Sequence, residues 1–213
     1  GLMCDQYVCR AAVWRSSCRL PRPHTPTHSK APTASNAKNR HHGMAALPAS
    51  APVEKSWFAQ ASFVGDSLTQ GLQIYDTGLP GAQFCAYKGV GPNAFVNGTS
   101  CKRVDGVTEI PLDALTAQQP KAVYVLLGSN VLGQDTDYTS FLTYYRLMLD
   151  MISQALPDTK IYVQSITPVR PEVVNEKPGL YRERLMAIND ELAALALQKG
   201  CTFLDLWEVL ADD

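Results

Sequence analysis

The 213-residue chain carries a formal net charge of −1, with 46% hydrophobic and 18% charged residues, a composition that excludes a disordered acidic chain and supports one ordinary globular domain with an extension. The balance hides an asymmetry: residues 1–53 hold seven Lys/Arg against Asp5 alone, a net of +6, so residues 54–213, with twelve basic and nineteen acidic residues, stand at −7. The longest apolar runs, such as Ala122 to Leu127, fall far short of the ~20 residues of a membrane-crossing helix, and Arg10, Arg15 and Arg19 interrupt the opening stretch before a secretory apolar core can form.

From Leu20 to Pro52 the chain is Pro, Thr, Ser, Ala, Asn and His with scattered Lys/Arg, and six of its fourteen prolines lie there. Such a stretch cannot offset the entropy of ordering itself, so residues 1–53 read as a disordered basic arm. It has no aromatic interleaving or groove-reading motif, so it reads as a solvated linker and not as a nucleic-acid binder. The six cysteines are too scattered for a disulfide framework, and none of His24, His28, His41 or His42 completes a zinc pattern, so no metal is expected. Cys85 and Cys101 flank a loop and either pair in an oxidising compartment or remain plain buried thiols.

Order is expected from residue 54. Ala61 to Gly65 is a short apolar run, and Asp66-Ser67 after it can cap a helix through Leu68, Gln70, Leu72 and Ile74. Gln83 to Tyr87 is a second strand candidate, and Ala122 to Leu127, apolar at every position, is a third, buried on both faces. Asp137 to Leu156 reads as a helix with Phe141, Tyr145, Met148, Ile152 and Ala155 at spacings of three and four. Lys160 to Ile166, Leu180 to Gln198 and Cys201 to Leu206 continue the cycle as strand, helix and strand. Alternation of this kind predicts an α/β fold with three α/β/α layers and a parallel sheet of about five strands. Ligands in such sheets sit at the carboxyl ends of the strands, near the switch in strand order.

Three of those ends carry polar or glycine-rich sequences: Gly65-Asp66-Ser67, Lys88-Gly89-Val90-Gly91 and Gly128-Ser129-Asn130. At a strand-to-helix turn, the Ser67 hydroxyl and the N–H groups of the following helix converge, which suits a nucleophile whose adduct bears negative charge; a plain N-cap at Asp66 or Ser67 is the alternative. Asn130 can donate to an oxyanion or form a turn. The glycines of the second loop allow close backbone approach to a substrate or serve a turn.

The run Phe63-Val64-Gly65-Asp66-Ser67-Leu68-Thr69-Gln70-Gly71 resembles the first block of the SGNH (GDSL-type) hydrolases, Lys88-Gly89-Val90-Gly91 their second, and Gly128-Ser129-Asn130 their third. The resemblance covers about residues 57–210. It implies a flavodoxin-like fold and hydrolysis of carboxylic esters, often acetyl groups on carbohydrates or acyl chains on lipids, with no metal or organic cofactor and frequently outside the membrane. It places the nucleophile at Ser67 and the oxyanion donors at the Ser67 N–H, Asn130 and a glycine of the second loop, Gly91 or alternatively Gly89. The third block usually continues with Asp where this chain has Val131, and Pro92, which has no N–H, follows the second.

The family's fourth block, Asp-x-x-His, supplies the general base, and residues 54–213 contain no histidine. Asp205, Asp212 and Asp213 are each without a His three residues on. The expectation is therefore a serine ester hydrolase domain over residues 54–213, incomplete at its C-terminus and weak or inactive as it stands, since a serine hydroxyl needs proton removal in the transition state. The alternative is a non-catalytic glycan- or ester-binding module on the same fold. Among rim candidates, Tyr75, Tyr87, Phe95, Tyr138 and Tyr181 either meet a sugar or pack, and Arg170 meets an anionic substrate group or an internal acid.

Overall fold

Five short apolar segments pair into one sheet in the computed structural model, which describes residues 53–75 and 78–210. They are β1 (Ala61–Gly65), β2 (Gln83–Ala86), β3 (Ala122–Leu126), β4 (Lys160–Gln164) and β5 (Thr202–Leu204). All pairs are parallel and the order is β2-β1-β3-β4-β5. The register aligns Cys85, Val64, Val125, Val163 and Phe203 across the sheet. Because side chains alternate between faces along a strand, that row shares one face, and its neighbours Phe84, Phe63, Tyr124, Tyr162 and Leu204 share the other.

Both faces are covered. Against the first pack α2 (Pro92–Val96), α3 (Pro111–Gln118), α4 (Thr139–Ala155) and α6 (Arg182–Gln198), contributing Phe95, Leu115, Met148, Ile152, Ile188 and Leu192 to the main core. The second face is a row of rings: Phe84 to Phe63 at 5.5 Å, Phe63 to Tyr124 at 5.1 Å and Tyr124 to Tyr162 at 4.7 Å between centroids. These spacings follow the ~4.8 Å separation of paired strands. The 3₁₀ helix Lys55–Gln60 and α1 (Ser67–Ile74) lie over that row with Phe58, Trp57 and Leu72. The expected three-layer α/β/α arrangement is thus the observed one.

Most boundaries differ from the sequence reading by one to three residues, for local reasons. Asp137 stays outside α4 because its carboxylate accepts from the Thr139 N–H and hydroxyl. Residues Pro178–Leu180 form a separate 3₁₀ turn ahead of α6. β5 stops early because Asp205 Oδ1 accepts from the Trp207 N–H, 2.8 Å away, at the opening of α7 (Trp207–Leu210). The basic arm lies outside the described residues, apart from Val53. Cys85 and Cys101 are free thiols, so the pairing alternative is not realised; burial, with the Glu109 charge nearby, pushes the Cys85 thiol up to about 12. No described helix is long and apolar enough to cross a membrane.

The topology fixes where a ligand can enter. From β1 the chain passes through α1 to β2 on one side, then returns across to β3 on the other. Strand order therefore reverses between β1 and β3, and the segments leaving their carboxyl ends diverge and open a crevice there. Ser67 follows β1 and Gly128-Ser129-Asn130 follows β3, so the two sequence blocks flank this crevice.

Candidate active site

Asp66 joins the two sides. In extended conformation at the N-cap of α1, it accepts from the Leu68 N–H at 2.9 Å through Oδ1. Its Oδ2 accepts from Ser129 Oγ at 2.9 Å and from Asn130 Nδ2 at 2.8 Å. The residue is 1% exposed. Burial raises its carboxyl above the usual range, while the Leu68 and Ser129 hydrogen bonds and the Lys177 charge pull it back down. With both oxygens engaged, this carboxylate ties the start of α1 to the loop after β3 across the switch point.

Gly65, just before it, is dictated by space. A Cβ there would collide with Thr69 of the first turn of α1 and stand 2.8 Å from the Leu126 carbonyl oxygen. The tight β1-to-α1 turn is possible because that position has no side chain, and it leaves Ser67 exposed as the first residue of α1. First-turn N–H groups have no intrahelical partner, and that of Ser67 is among them.

Asn130 has a second neighbour. Its Nδ2 lies 3.5 Å from the Val90 carbonyl oxygen, which brings the second loop against the third. Gly91 is buried at the N-cap of α2, with Pro92 at the first helical position. Its φ of −129° suits any residue, but a Cβ would lie 2.5 Å from Val131 Cγ1 and 2.9 Å from Asn93 Oδ1. Val131, the departure from the family's third block, thus packs where Gly91 leaves room. Gly89 is a glycine for another reason: its φ is +79° and a side chain there would meet nothing. Ser67, Gly91 and Asn130 are therefore brought to one rim, with Gly89 at its outer edge.

The loop carrying Asn130 is clamped from below by Arg184 of α6, which is 7% exposed. Its guanidinium donates to the carbonyls of Leu132 at 3.0 Å, Gly179 at 2.5 Å and Thr136 at 2.9 Å. Gly179 in turn donates its N–H to the Gly133 carbonyl at 2.9 Å, and a Cβ at Gly179 would run into the carbonyls of Leu132 and Gln134. Asn189 completes the scaffold by holding Ile166 at the end of β4 through both its N–H and its carbonyl.

Other sequence candidates resolve differently. Tyr87 and Phe95 are 1% exposed and belong to the core; Tyr87 donates to Glu109 at 2.7 Å, and burial with that neighbouring charge raises its phenol far above the ordinary range. Tyr138 donates to Glu191 at 2.8 Å. Tyr75 and Tyr181 remain exposed. Arg170 makes no ion pair with a described carboxylate. His24, His28, His41, His42, Asp212 and Asp213 lie outside the described residues. Among the described residues no group of three His, Cys, Asp or Glu side chains is placed to hold a metal. Sequence reasoning missed Ser129 and the bridging use of Asp66; the Asp in the first block and the Ser before Asn130 were visible, but nothing in the sequence said that they meet.

The five-stranded parallel sheet covered on both faces is the three-layer α/β/α fold of SGNH hydrolases. The chain belongs to the GDSL-like lipase/acylhydrolase family, whose profile matches residues 63–213. Among solved structures it is similar to a candidate acylhydrolase of Bacteroides fragilis, with 14% identity, 72% of this chain and 70% of that chain covered and a TM-score of 0.55. A GDSL-like lipase of Bacteroides thetaiotaomicron gives 14% identity, the same coverages and a TM-score of 0.53. At these identities the likeness shows the fold. No curated protein matches the chain.

Proposed function

We propose that this chain presents the nucleophile and oxyanion hole of a carboxylic ester hydrolase, with Ser67 as the nucleophile. The observation that carries this reading is the Asp66 bridge, which holds the Asn130 amide beside the start of α1. Asn130 Nδ2 donates to Asp66 at 2.8 Å and more weakly to the Val90 carbonyl at 3.5 Å, and the weaker contact is the one a developing oxyanion replaces. The Ser67 N–H and the Gly91 N–H are the other two donors. Ser67 Oγ attacks the ester carbonyl carbon and the tetrahedral adduct expels the alcohol. Water then attacks the acyl-enzyme, releasing the acid and restoring the serine. The family resemblance points to acetyl groups on carbohydrates or acyl chains on lipids as the substrate class.

Proton removal from Ser67 is the weak step. Asp66 is unsuited to it, because its oxygens already accept three hydrogen bonds, and residues 54–213 supply no imidazole. Loss of the base in serine hydrolases leaves only the acceleration supplied by the oxyanion hole and binding. This chain by itself therefore hydrolyses esters slowly, with hydroxide or an added base taking the proton. The test is release of 4-nitrophenol from 4-nitrophenyl acetate by the wild type, Ser67→Ala and Asn130→Ala. A slow turnover lost in Ser67→Ala and lowered at least tenfold in Asn130→Ala supports the reading. Identical rates in all three variants favour the second reading, a module that binds esters or glycans without cleaving them, for which the missing imidazole is the supporting observation.

A further inference from the structure

The same rim continues past the crevice. Beyond Ile166 and Thr167, at the carboxyl ends of β4 and β5, lies a groove of about 580 Å³ whose lining includes Pro168, Val169, Arg170, Leu180, Arg182 and Trp207. It lies on the far side of the site from β2: Ile166 and Thr167 share the narrow crevice with Asp66 and Ser129, and Pro168 opens the groove. With ~4.8 Å between neighbouring strands, the end of β4 is about 10 Å along the rim from the end of β1.

The charge of this groove runs against that of its domain. Residues 54–213 carry −7, yet two arginines and no described carboxylate line it. Arg182 is held in place by its flat neighbour: its guanidinium carbon is 5.5 Å from the centre of the Trp207 ring, and Trp207 is itself 3% exposed, a fixed platform. Arg170 sits at the N-cap of α5 (Pro171–Glu176), its backbone set by the following proline. Neither guanidinium forms an ion pair with a described carboxylate. The rest of the lining is largely apolar.

We propose that this groove is a subsite for an anionic group, a carboxylate or a phosphate, borne by the ester about 10 Å from the scissile carbonyl. The inference rests on the esterase reading for the purpose it gives the site, but its physical content is anion binding. Guanidinium forks match the planar oxygens of a carboxylate and the oxygens of a phosphate, and the apolar walls accept the carbon skeleton. Anionic esters are thereby selected over neutral ones of the same size.

The experiment is a ligand-observed NMR titration at low ionic strength with glucuronate and with glycerol 3-phosphate, using glucose and glycerol as the neutral counterparts. At least one anion should bind saturably, with at least tenfold weaker affinity for its neutral counterpart; which anion responds tells carboxylate from phosphate. Arg170→Gln and Arg182→Gln should each weaken binding by at least threefold, and the double variant should abolish it. Arg146→Gln, an exposed arginine elsewhere whose partner is Gln198, should bind as the wild type does, and Ser67→Ala likewise. A circular dichroism spectrum and melting curve like the wild type's establish that each variant is folded. Absence of saturable binding by both anions, or binding unchanged in the folded double variant, overturns the proposal. Anion binding without Ser67-dependent hydrolysis would remove the esterase reading and leave the groove; hydrolysis without anion binding would do the reverse.

Discussion

Asp66 is the residue on which the site turns, since one carboxylate caps α1, receives Ser129 and holds Asn130. Replacing it by Asn keeps the shape but substitutes an NH₂ for one acceptor oxygen, so that donor faces donor. Hydrogen bonds to a charged group contribute roughly 1.5–3 kcal/mol, and if that orientation energy is expressed at the transition state, Ser67-dependent hydrolysis by Asp66→Asn falls about 10- to 100-fold. Steady-state rates on 4-nitrophenyl acetate measure it, and a fall confined to KM would contradict an orienting role. The carboxylate also has a pH signature. Its folded-state pKa is raised above the ordinary 3.8, so between those values the folded protein binds more protons than the unfolded chain, and stability contributed through Asp66 declines as pH rises through the interval. Thermal melts should show the wild type losing ground to Asp66→Asn over that window. Gly65→Ala forces the Thr69 side chain and the Leu126 carbonyl apart; overpacking of this sort costs about 1–3 kcal/mol, measurable by urea denaturation.

At the scale of elements, the loop from Gly128 to Tyr138 keeps its shape through Arg184, which reaches from α6 to three carbonyls. Arg184→Leu removes the donor from the carbonyls of Leu132 and Gly179, both buried residues, at ~1–3 kcal/mol each. Urea denaturation should register at least ~2 kcal/mol, with Asn130-dependent hydrolysis lost in parallel. None of this was legible beforehand, because Arg184 is 52 residues from Leu132 and its position in an amphipathic helix says nothing about which carbonyls it meets. β1, β3 and α4 were legible, since a run of apolar residues or a spacing of three and four is a local property. The short helices α2, α3 and α5 were not, because each has a proline in its first turn and eight residues or fewer, too few for a period to register. The Ser67 and Asn130 blocks could be read because strand ends in a parallel sheet all face one rim; that they are joined through Asp66 and Ser129 depends on which strands are neighbours.

For the whole molecule, the strand order β2-β1-β3-β4-β5 puts the two chemical blocks on either side of the one reversal and the arginine groove two strands further along. The row of stacked rings packs on one face and the row from Cys85 to Phe203 on the other. Residues 54–213 contain no histidine, so the proposed role of Ser67 is open to test with a base supplied from outside. The direct measurement is imidazole rescue: hydrolysis of 4-nitrophenyl acetate against added imidazole, for the wild type and Ser67→Ala, with the reaction of free imidazole subtracted. Imidazole should accelerate the wild type at least tenfold, with an acetylated Ser67 detectable by mass spectrometry of the quenched protein, and leave Ser67→Ala at background. Equal rates for the two proteins at every imidazole concentration, with no acetyl group on Ser67, would contradict it.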